Sequence, residues 1–221
     1  MKNTLILGAS GGIGAALVRA CADRGDQVTG VSRSVDGIDV TDETCVHRHL
    51  SDLKEQFDLV IVATGALEIN GSEPEKTIKA LSSKAMMDQF ALNAVGPALV
   101  LRHAAQLLPR DRGSVFAVLS ARVGSIADNN IGGWISYRSA KAAVNQVVRT
   151  ASIELARTHK KAACVALHPG TVQTAFTEKY LGRHPSVPPA EAAANLLHVI
   201  DSLTPAQTGQ FFDWAGKEVP W

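Results

Sequence analysis

Short apolar runs alternate with longer amphipathic segments along this chain, and the alternation predicts strands separated by helices. Continuous apolar runs predict strands that are buried on both faces, as in a parallel sheet. Apolar residues spaced three and four apart predict helices. The predicted strands are 4–7, 27–32, 37–40, 58–63, 114–119, 162–167 and 209–213, and the predicted helices are 13–24, 83–108, 136–158 and 189–203, with a loosely helical stretch over 41–56.

This order of elements predicts the fold class. Strands and helices alternate throughout, and neither a linker nor a shift in composition divides the chain. We therefore predict a single doubly wound, Rossmann-like α/β domain over residues 1–221. Its mostly parallel central sheet would have six to seven strands, with helices on both faces.

Two places depart from the regular pattern. The gap between strands 27–32 and 37–40 is shorter than the dozen or so residues that a parallel crossover needs, so the helix expected there is missing or reduced to a turn. Within helix 83–108, Asn93 and the pair Gly96-Pro97 are unfavourable in a helix interior. This second violation predicts a functional kink, although Gly96 could instead serve close packing.

A glycine-rich turn follows the first predicted strand and opens the first predicted helix. In that context the backbone can turn sharply and approach a pyrophosphate without obstruction from Cβ atoms. The free N–H groups of the helix start would point at the phosphates. The turn therefore predicts a dinucleotide site formed by Gly8, Ser10, Gly11, Gly12, Ile13 and Gly14.

The end of the second predicted strand indicates which dinucleotide is bound. An acidic residue there would accept a hydrogen bond from a ribose hydroxyl, whereas arginine neutralises a 2′-phosphate. The chain has Ser32-Arg33, which favours NADP over NAD. Downstream, Asp39 could accept from the adenine amine and Val40 could pack on the ring; equally, Asp39 could be a cap or turn residue.

One helical pair suggests proton chemistry. Tyr137 and Lys141 are four residues apart and would project from one face of a helix. A cation held near a phenol favours the phenolate, so the pair could give or take a proton near neutral pH.

The small residues Thr64-Gly65 follow another buried strand. They would let a cofactor lie across the carboxyl end of that strand.

Charge and cysteine content exclude several classes of function. The net charge is +1 and its signs are interspersed, so we expect no nucleic-acid or membrane partner. Three widely spaced cysteines indicate a reducing compartment. The N-terminus lacks signal-peptide features, and no apolar run approaches the ~18 to 20 residues of a membrane span. We expect a soluble, cytoplasmic protein.

The remaining histidines suggest no metal centre. They show no spacing typical of metal ligands, and we expect them to be surface groups: His47, His49, His103, His159, His184 and His198. We therefore predict that the protein holds no metal.

Taken in order, the motifs resemble those of the short-chain dehydrogenases/reductases. The resemblance covers essentially the whole chain and is carried by Gly8-x-x-x-Gly12-Ile13-Gly14, Asn93, Ser120, Tyr137-x-x-x-Lys141 and Pro169-Gly170. Within the family the chain looks most similar to compact bacterial members related to the cell-contact signalling protein C-factor. Ser120 to Ser125, Gly132-Gly133-Trp134 and Gly209 to Phe212 carry that finer likeness.

The resemblance implies roles for individual residues. Tyr137 would be the general acid or base, Lys141 would lower its pKa and bind the nicotinamide ribose, and Asn93 would hold a water in a proton relay. Ser120 would donate a hydrogen bond to the substrate oxygen. The implied cofactor contacts also include Ala63, Thr64 and Gly65 on the adenosine side and Pro169, Gly170, Val172 and Thr174 at the nicotinamide.

The serine departs from the family pattern. Family members commonly place it about thirteen residues before the tyrosine, where this chain has Gly124. Ser120 lies further back, at a rigid strand end, and Ser125 lies nearer, in the loop. We favour Ser120 and leave Ser125 as the alternative; if neither faces Tyr137, catalysis would be weakened.

These features predict an NADP-dependent carbonyl reductase or alcohol dehydrogenase. Its substrate would be a small carbonyl or alcohol held in an open, apolar pocket near Phe176, Tyr180, Leu181 and Val187, while Trp134 either walls that pocket or packs in its loop. The resemblance further implies a homodimer or homotetramer. The alternative is a dinucleotide-binding signalling or scaffold protein of the C-factor type with little or no turnover.

Overall fold

Six parallel strands form the central sheet of the computed structural model, which describes residues 1–182 and 185–221. Their order across the sheet is β2-β1-β3-β4-β5-β6, and each neighbouring pair is parallel. The Rossmann-like α/β prediction is confirmed. The strands are β1 (Asn3–Leu7), β2 (Gln27–Val31), β3 (Leu59–Val62), β4 (Ser114–Leu119), β5 (Ala162–His168) and β6 (Phe211–Asp213).

Helices cover both faces of the sheet. They are α1 (Gly12–Asp23), α2 (Arg33–Asp36), α3 (Glu43–Ser51), α4 (Ser83–Phe90), α5 (Gly96–Leu101), α6 (Ala104–Leu107), α7 (Ile135–Leu155) and α8 (Pro189–Ser202). Successive side chains of each strand point to opposite faces of the sheet. Val60 and Val118 join Val100 of α5 and Val144 of α7 in one apolar cluster. Ile61 and Leu119 join Leu17 of α1 and Leu196 of α8 in the other.

The prediction of a strand over residues 37–40 is wrong. Gly37 ends α2 in the left-handed region at φ 74°, and the polar groups that follow bond locally. The Oδ1 atom of Asp39 accepts from both the N–H and the hydroxyl of Thr41, while the Asp39 N–H meets the sulfur of Cys45 at 3.3 Å. Val40 is buried for another reason, because it packs in the core beside α5.

The helix is irregular near Asn93, where the sequence predicts a kink. Between α4 and α5 the chain forms a π-helical turn over Ala91–Val95, and Asn93 lies buried inside it. The close-packing explanation for Gly96 also holds, since a Cβ atom there would lie 2.9 Å from Cγ2 of Val40. π-Turns inside helices occur frequently at functional sites, which directs attention to the Asn93 amide.

Candidate active site

The carboxyl ends of the parallel strands all lie at the same end of the sheet. From β1 the chain passes outward to β2 and then returns to β3 on the other side of β1. Such a reversal of strand order opens a crevice in which open α/β sheets bind ligands. The loops after β1 and β3 meet there, because a Cβ atom on Gly8 would lie 2.8 Å from the Ala63 carbonyl oxygen.

The glycine turn after β1 has the shape of a pyrophosphate cradle. Gly8 adopts φ +88°, and a Cβ atom on Gly14 would overlap the Gly8 carbonyl oxygen. Gly11 is the N-cap of α1 and has no side chain with which to satisfy the first N–H groups of that helix. Ser10, Gly11 and Gly12 are exposed, so an anion can approach the start of α1.

The end of β2 presents hydroxyl groups and an exposed arginine. Ser32 caps α2, and Arg33 begins that short helix. The hydroxyl groups of Ser34 and Ser10 lie 2.9 Å apart, which ties this segment to the glycine turn. The nearby carboxylate of Asp36 accepts from the Ser32 N–H at 2.7 Å.

Asp39 serves as a turn residue in this structure. Hydrogen bonds from the Thr41 side chain and backbone lower the pKa of its carboxyl, and Arg33 contributes to the same direction. The turn explanation considered from the sequence therefore accounts for Asp39, and Val40 belongs to the core. Neither residue shows a feature that points specifically to adenine.

Beyond β3, Gly65 brings the crevice against two buried side chains. A Cβ atom at Gly65 would lie 2.7 Å from the Asn93 Oδ1 atom and 3.6 Å from the Lys141 Nζ atom. Thr64 directly precedes it, and the buried Thr64 hydroxyl has no hydrogen-bond partner among the described residues. A polar ligand in the crevice would supply such a partner.

Asn93 is held by a chain of buried amides that begins at Gln89. The Gln89 side chain donates to the Leu67 carbonyl at 2.8 Å and accepts from the Asn93 amide at 2.7 Å. That same Asn93 amide donates to the Ala66 carbonyl at 2.9 Å, and the Ala66 N–H approaches Asn93 Oδ1 at 3.3 Å. Gln89 is absent from the predicted site residues, although its position one helical turn before Asn93 is a signal for it.

Tyr137 and Lys141 lie on the buried face of α7, as their spacing predicts. The Lys141 Nζ atom lies 5.8 Å from the Tyr137 ring centroid and donates to the Leu119 carbonyl at 3.0 Å, at the carboxyl end of β4. Burial lowers the pKa of Lys141 to about 8.

Burial of Tyr137 opposes the effect that a nearby cation would have on its phenol. Burial raises the pKa of the phenol above its ordinary value, so the hydroxyl keeps its proton. The same loss of hydration disfavours the ammonium form of Lys141. A protonated phenol is suited to donate a proton.

Both candidate serines have other partners. The Ser120 hydroxyl donates its single hydrogen to the Asn145 side chain at 2.6 Å, and Ser120 is buried. The Ser125 hydroxyl donates to the Pro220 carbonyl. Neither hydroxyl forms a hydrogen bond with Tyr137 in the part of the chain that the structure describes. In this structure the Ser120 hydroxyl therefore donates within the protein, and its donation to a substrate oxygen stays a prediction.

Gly124 stands where the family spacing places the serine, for a packing reason. A Cβ atom at Gly124 would lie 2.7 Å from the Lys141 Cβ atom, so the loop after β4 passes directly against α7. The Asn145 amide donates to the Gly124 carbonyl at 3.4 Å. Asn145, one helical turn after Lys141, thus holds both the strand end and this loop.

Three aromatic rings surround the tyrosine. Trp134 and Phe176 approach the Tyr137 ring edge-on, with centroids 6.4 and 6.3 Å away, and Tyr180 packs edge-on against Trp134 at 5.3 Å. Trp134 has φ 52°, a left-handed conformation that costs a non-glycine residue roughly 1–2 kcal/mol. Trp134 therefore lies against the catalytic candidate, which favours a pocket wall over packing confined to its own loop.

Ion pairs bind the segment after β5 to the loop after β3. The Lys179 ammonium contacts the carboxylates of Glu68 at 2.7 Å and Glu73 at 3.0 Å, and the Tyr180 hydroxyl donates to Glu68 at 3.1 Å. These contacts connect the loop after β3 with the loop after β5, beside the aromatic rings next to Tyr137.

The start of the segment after β5 lies over the glycine turn. His168 ends β5, and burial lowers the pKa of its imidazole to about 4. Pro169 follows, Gly170 has φ +79° and faces Trp214, and Val172 is buried. The Thr174 side chain occupies the space beside Gly12, because a Cβ atom at Gly12 would overlap its Cγ2 atom.

The histidine prediction needs partial correction. His103 and His159 are buried, so they are not surface groups, and His184 lies outside the described residues. Within residues 1–182 and 185–221, no three His, Cys, Asp or Glu side chains lie together as metal ligands would. In the same ranges, no helix has both the length and the apolar character of a membrane span.

Comparisons with known proteins agree with this architecture. A family model described as Enoyl-(Acyl carrier protein) reductase matches residues 31–204. The 1-hydroxy-2-glutathionyl-2-methyl-3-butene dehydrogenase of Rhodococcus sp. (strain AD45) is 30% identical, and the alignment covers 100% of both chains. The C-signal of Myxococcus xanthus is 39% identical over 62% of this chain and 78% of its own length.

Solved structures share the fold along its whole length. A short-chain dehydrogenase/reductase from Burkholderia multivorans with bound NADP has a TM-score of 0.80 at 26% identity, covering 100% of both chains. The carbonyl reductase Sniffer of D. melanogaster has a TM-score of 0.85 at 21% identity, also over 100% of both chains.

Fold, relatives and family model together define the class of this protein as an NAD(P)-dependent oxidoreductase. More closely, the chain belongs to the short-chain dehydrogenase/reductase family, as its motifs predict.

Proposed function

We propose that the protein is an NADP-dependent carbonyl reductase or alcohol dehydrogenase, formed as one domain over residues 1–221, in which Tyr137 is the general acid in reduction. The observation that carries this proposal is the buried Tyr137–Lys141 pair at the carboxyl end of β4. Gly65 brings the ligand crevice to within contact of Lys141, so cofactor and acid would share one site.

The dinucleotide has a complementary set of residues on this chain. The glycine turn and the start of α1 would hold the pyrophosphate, Ser32 and Arg33 would face the 2′-phosphate, and Lys141 would reach the nicotinamide ribose. Bound NADP(H) would supply or accept the hydride. The proposed cofactor residues are Gly8, Ser10, Gly11, Gly12, Ile13, Gly14, Ser32, Arg33, Ala63, Thr64, Gly65, Asn93, Tyr137, Lys141, Pro169, Gly170, Val172 and Thr174. Asp39 and Val40 would lie on the adenine side of the cofactor.

The chain's own groups would move the proton. The phenol of Tyr137 keeps its proton because it is buried, and it would donate that proton to the carbonyl oxygen of a bound substrate. Lys141 would stabilise the phenolate that results. Asn93, fixed by Gln89, would hold a water that reconnects Lys141 to solvent.

The aromatic rings indicate the kind of substrate. Trp134, Phe176 and Tyr180 place an apolar surface beside the proton donor. Such a surface would favour a carbonyl that carries an apolar or aromatic substituent. The predicted homodimer or homotetramer remains a proposal.

Turnover with a panel of ketones, aldehydes and quinones tests the proposed activity. We expect NADPH oxidation that depends on the carbonyl compound and is fastest with aromatic or otherwise apolar members of the panel. The measurement is NADPH absorbance, with binding of NADPH followed separately by fluorescence.

A second function has one specific observation in its favour. The hydroxyls of Ser120 and Ser125 are both bonded elsewhere, so the site lacks the serine donor that the family resemblance implies. A cofactor-binding signalling protein of the C-factor type would not require that donor. Tight NADPH binding without turnover on the whole panel would favour this function over the reductase.

The preference for NADP is tested by Arg33→Ala. We expect this substitution to weaken NADPH binding by about tenfold or more, since a phosphate contact with a charged group is worth roughly 1.5–3 kcal/mol. NADH binding should change little. The measurement is the Kd of each cofactor by fluorescence titration.

Arg19→Ala is the matched control, because it removes the same charge from an exposed position on α1. It should affect the two cofactors equally and weakly. Equal weakening of NADPH and NADH by Arg33→Ala would contradict a contact with the 2′-phosphate.

A further inference from the structure

A buried carboxylate outside the proposed chemistry lies at the start of the helix that carries the tyrosine. Glu75 belongs to the long loop between β3 and α4, yet only 7% of its surface is exposed. Its two carboxylate oxygens both accept from Ser136: Oε2 from the backbone N–H at 3.2 Å and Oε1 from the hydroxyl. Ser136 immediately precedes Tyr137.

The Glu75 backbone holds the other side of the same junction. Its carbonyl oxygen accepts from the N–H of Trp134, the residue that precedes α7 in a left-handed conformation. Gly132 and Gly133 have φ 70° and 67°, so three consecutive residues follow this uncommon path. Glu75 is therefore bonded on both sides of Ile135, where the loop becomes a helix.

The helix start needs this external partner. Trp134 occupies the N-cap position and provides no side-chain hydrogen bond to the first N–H groups of α7. A carboxylate beside those groups satisfies a donor and interacts favourably with the positive end of the helix dipole. Glu75 thus supplies from a distant loop the cap that the helix itself lacks.

We propose that Glu75 is a positioning residue for the reaction, which rests on the proposed function of Tyr137. By fixing Ser136 and Trp134, it sets the direction of the phenol and of the aromatic wall together. The loop after β3 also carries Glu68 and Glu73, which bind Lys179 beside the same wall. One loop therefore couples the acid to the apolar surface that would receive the substrate.

The test compares Glu75→Ala and Glu75→Gln with the wild type in the NADPH-dependent assay. A misplaced acid lowers turnover, so Glu75→Ala should reduce kcat by between about tenfold and 10²-fold. The Kd of NADPH should not change, because the glycine turn is untouched. Glu75→Gln keeps an oxygen that can accept from Ser136 and should restore part of kcat.

Ser136→Ala provides a coupling measurement. It should lower kcat in the wild-type background and have no further effect in Glu75→Ala, since the two residues would act as one unit. Glu191→Ala is the matched control, because Glu191 is an exposed acid in the first turn of α8 and its loss should leave kcat unchanged.

A spectroscopic readout separates this proposal from the proposed activity. The readout is the ¹⁹F NMR chemical shift of Trp134 in protein labelled with fluorotryptophan, assigned through Trp134→Phe. This chemical shift should change in Glu75→Ala and stay unchanged in Glu191→Ala. Wild-type kcat in Glu75→Ala, or an equal loss of NADPH affinity, would overturn the positioning role. If the wild type shows no turnover at all, the proposed activity fails, and an unmoved Trp134 resonance in Glu75→Ala would then reject the positioning role independently.

Discussion

Replacing Tyr137 with phenylalanine is expected to lower kcat for carbonyl reduction by about 10²- to 10⁴-fold, the contribution of a positioned general acid. The ring would still pack between Trp134 and Phe176, so the pocket should keep its shape. Only the hydroxyl group, and with it the proton to be donated, is removed. NADPH affinity should remain close to that of the wild type, and single-turnover kinetics with saturating NADPH measure the loss directly.

Ser120→Ala is the informative comparison for this substitution. The Ser120 hydroxyl donates to Asn145, so its loss should act mainly on stability, at roughly 1–3 kcal/mol for a buried acceptor left without its donor. We expect a much smaller decrease in kcat than for Tyr137→Phe. Activity that survives Tyr137→Phe would reject the proposed proton donor, and a loss in Ser120→Ala as large as in Tyr137→Phe would restore Ser120 to the catalytic site.

Lys141→Met is expected to abolish most activity while making the protein more stable at neutral pH. Burial lowers the pKa of Lys141 from 10.5 to about 8, so the folded state carries an ammonium in an unfavourable place. Converted at 1.36 kcal/mol per unit, this cost is about 3 kcal/mol. Leaving the buried Leu119 carbonyl without the Lys141 donor offsets roughly 1–3 kcal/mol, so the net gain in the free energy of unfolding is on the order of 1 kcal/mol.

The pH dependence has a definite sign. Between pH 8 and 10.5 the unfolded chain binds more protons at Lys141 than the folded chain does, so wild-type stability should rise with pH across that window. This rise should be absent in Lys141→Met. Over the same window kcat/KM of the wild type should fall, because Lys141 loses the charge that assists the phenol. Chemical unfolding and initial rates at matched pH values measure the two trends.

Lys54→Met controls for the loss of one positive charge, since Lys54 is exposed in the turn after α3. It should change neither activity nor the pH dependence of stability. A Lys141→Met protein that is less stable than the wild type at neutral pH would show that the buried ammonium is not a net cost.

The sequence was most informative where one local pattern determines both structure and chemistry. The apolar run of β1 followed by the glycine turn predicted a buried strand, a helix start and an anion cradle, because glycine is required wherever backbone approaches backbone, as Gly8 approaches Ala63. The four-residue spacing of Tyr137 and Lys141 likewise placed both on one helix face. The unfavourable residues around Asn93 predicted the distortion that the π-helical turn provides.

Local patterns failed where partners are distant in the chain. Residues 37–40 have the composition of a strand but bond to Thr41 and Cys45. The strand-end position of Ser120 favoured it as a substrate donor, yet Asn145, 25 residues later, receives its hydrogen. Glu75 and Ser136 are 61 residues apart in the chain, and no residue spacing within either segment predicts their hydrogen bonds.

The sequence by itself thus determined the alternating fold, the dinucleotide turn and the tyrosine–lysine pair, because helical and strand periodicity and glycine sterics are local properties. Tertiary structure alone decided the protonation of that pair and the partners of the hydroxyl groups. Burial depends on which elements pack together, and it raises the pKa of Tyr137, whereas a nearby cation alone would lower it. A hydroxyl has a single hydrogen, and only the assembled site shows where that hydrogen goes.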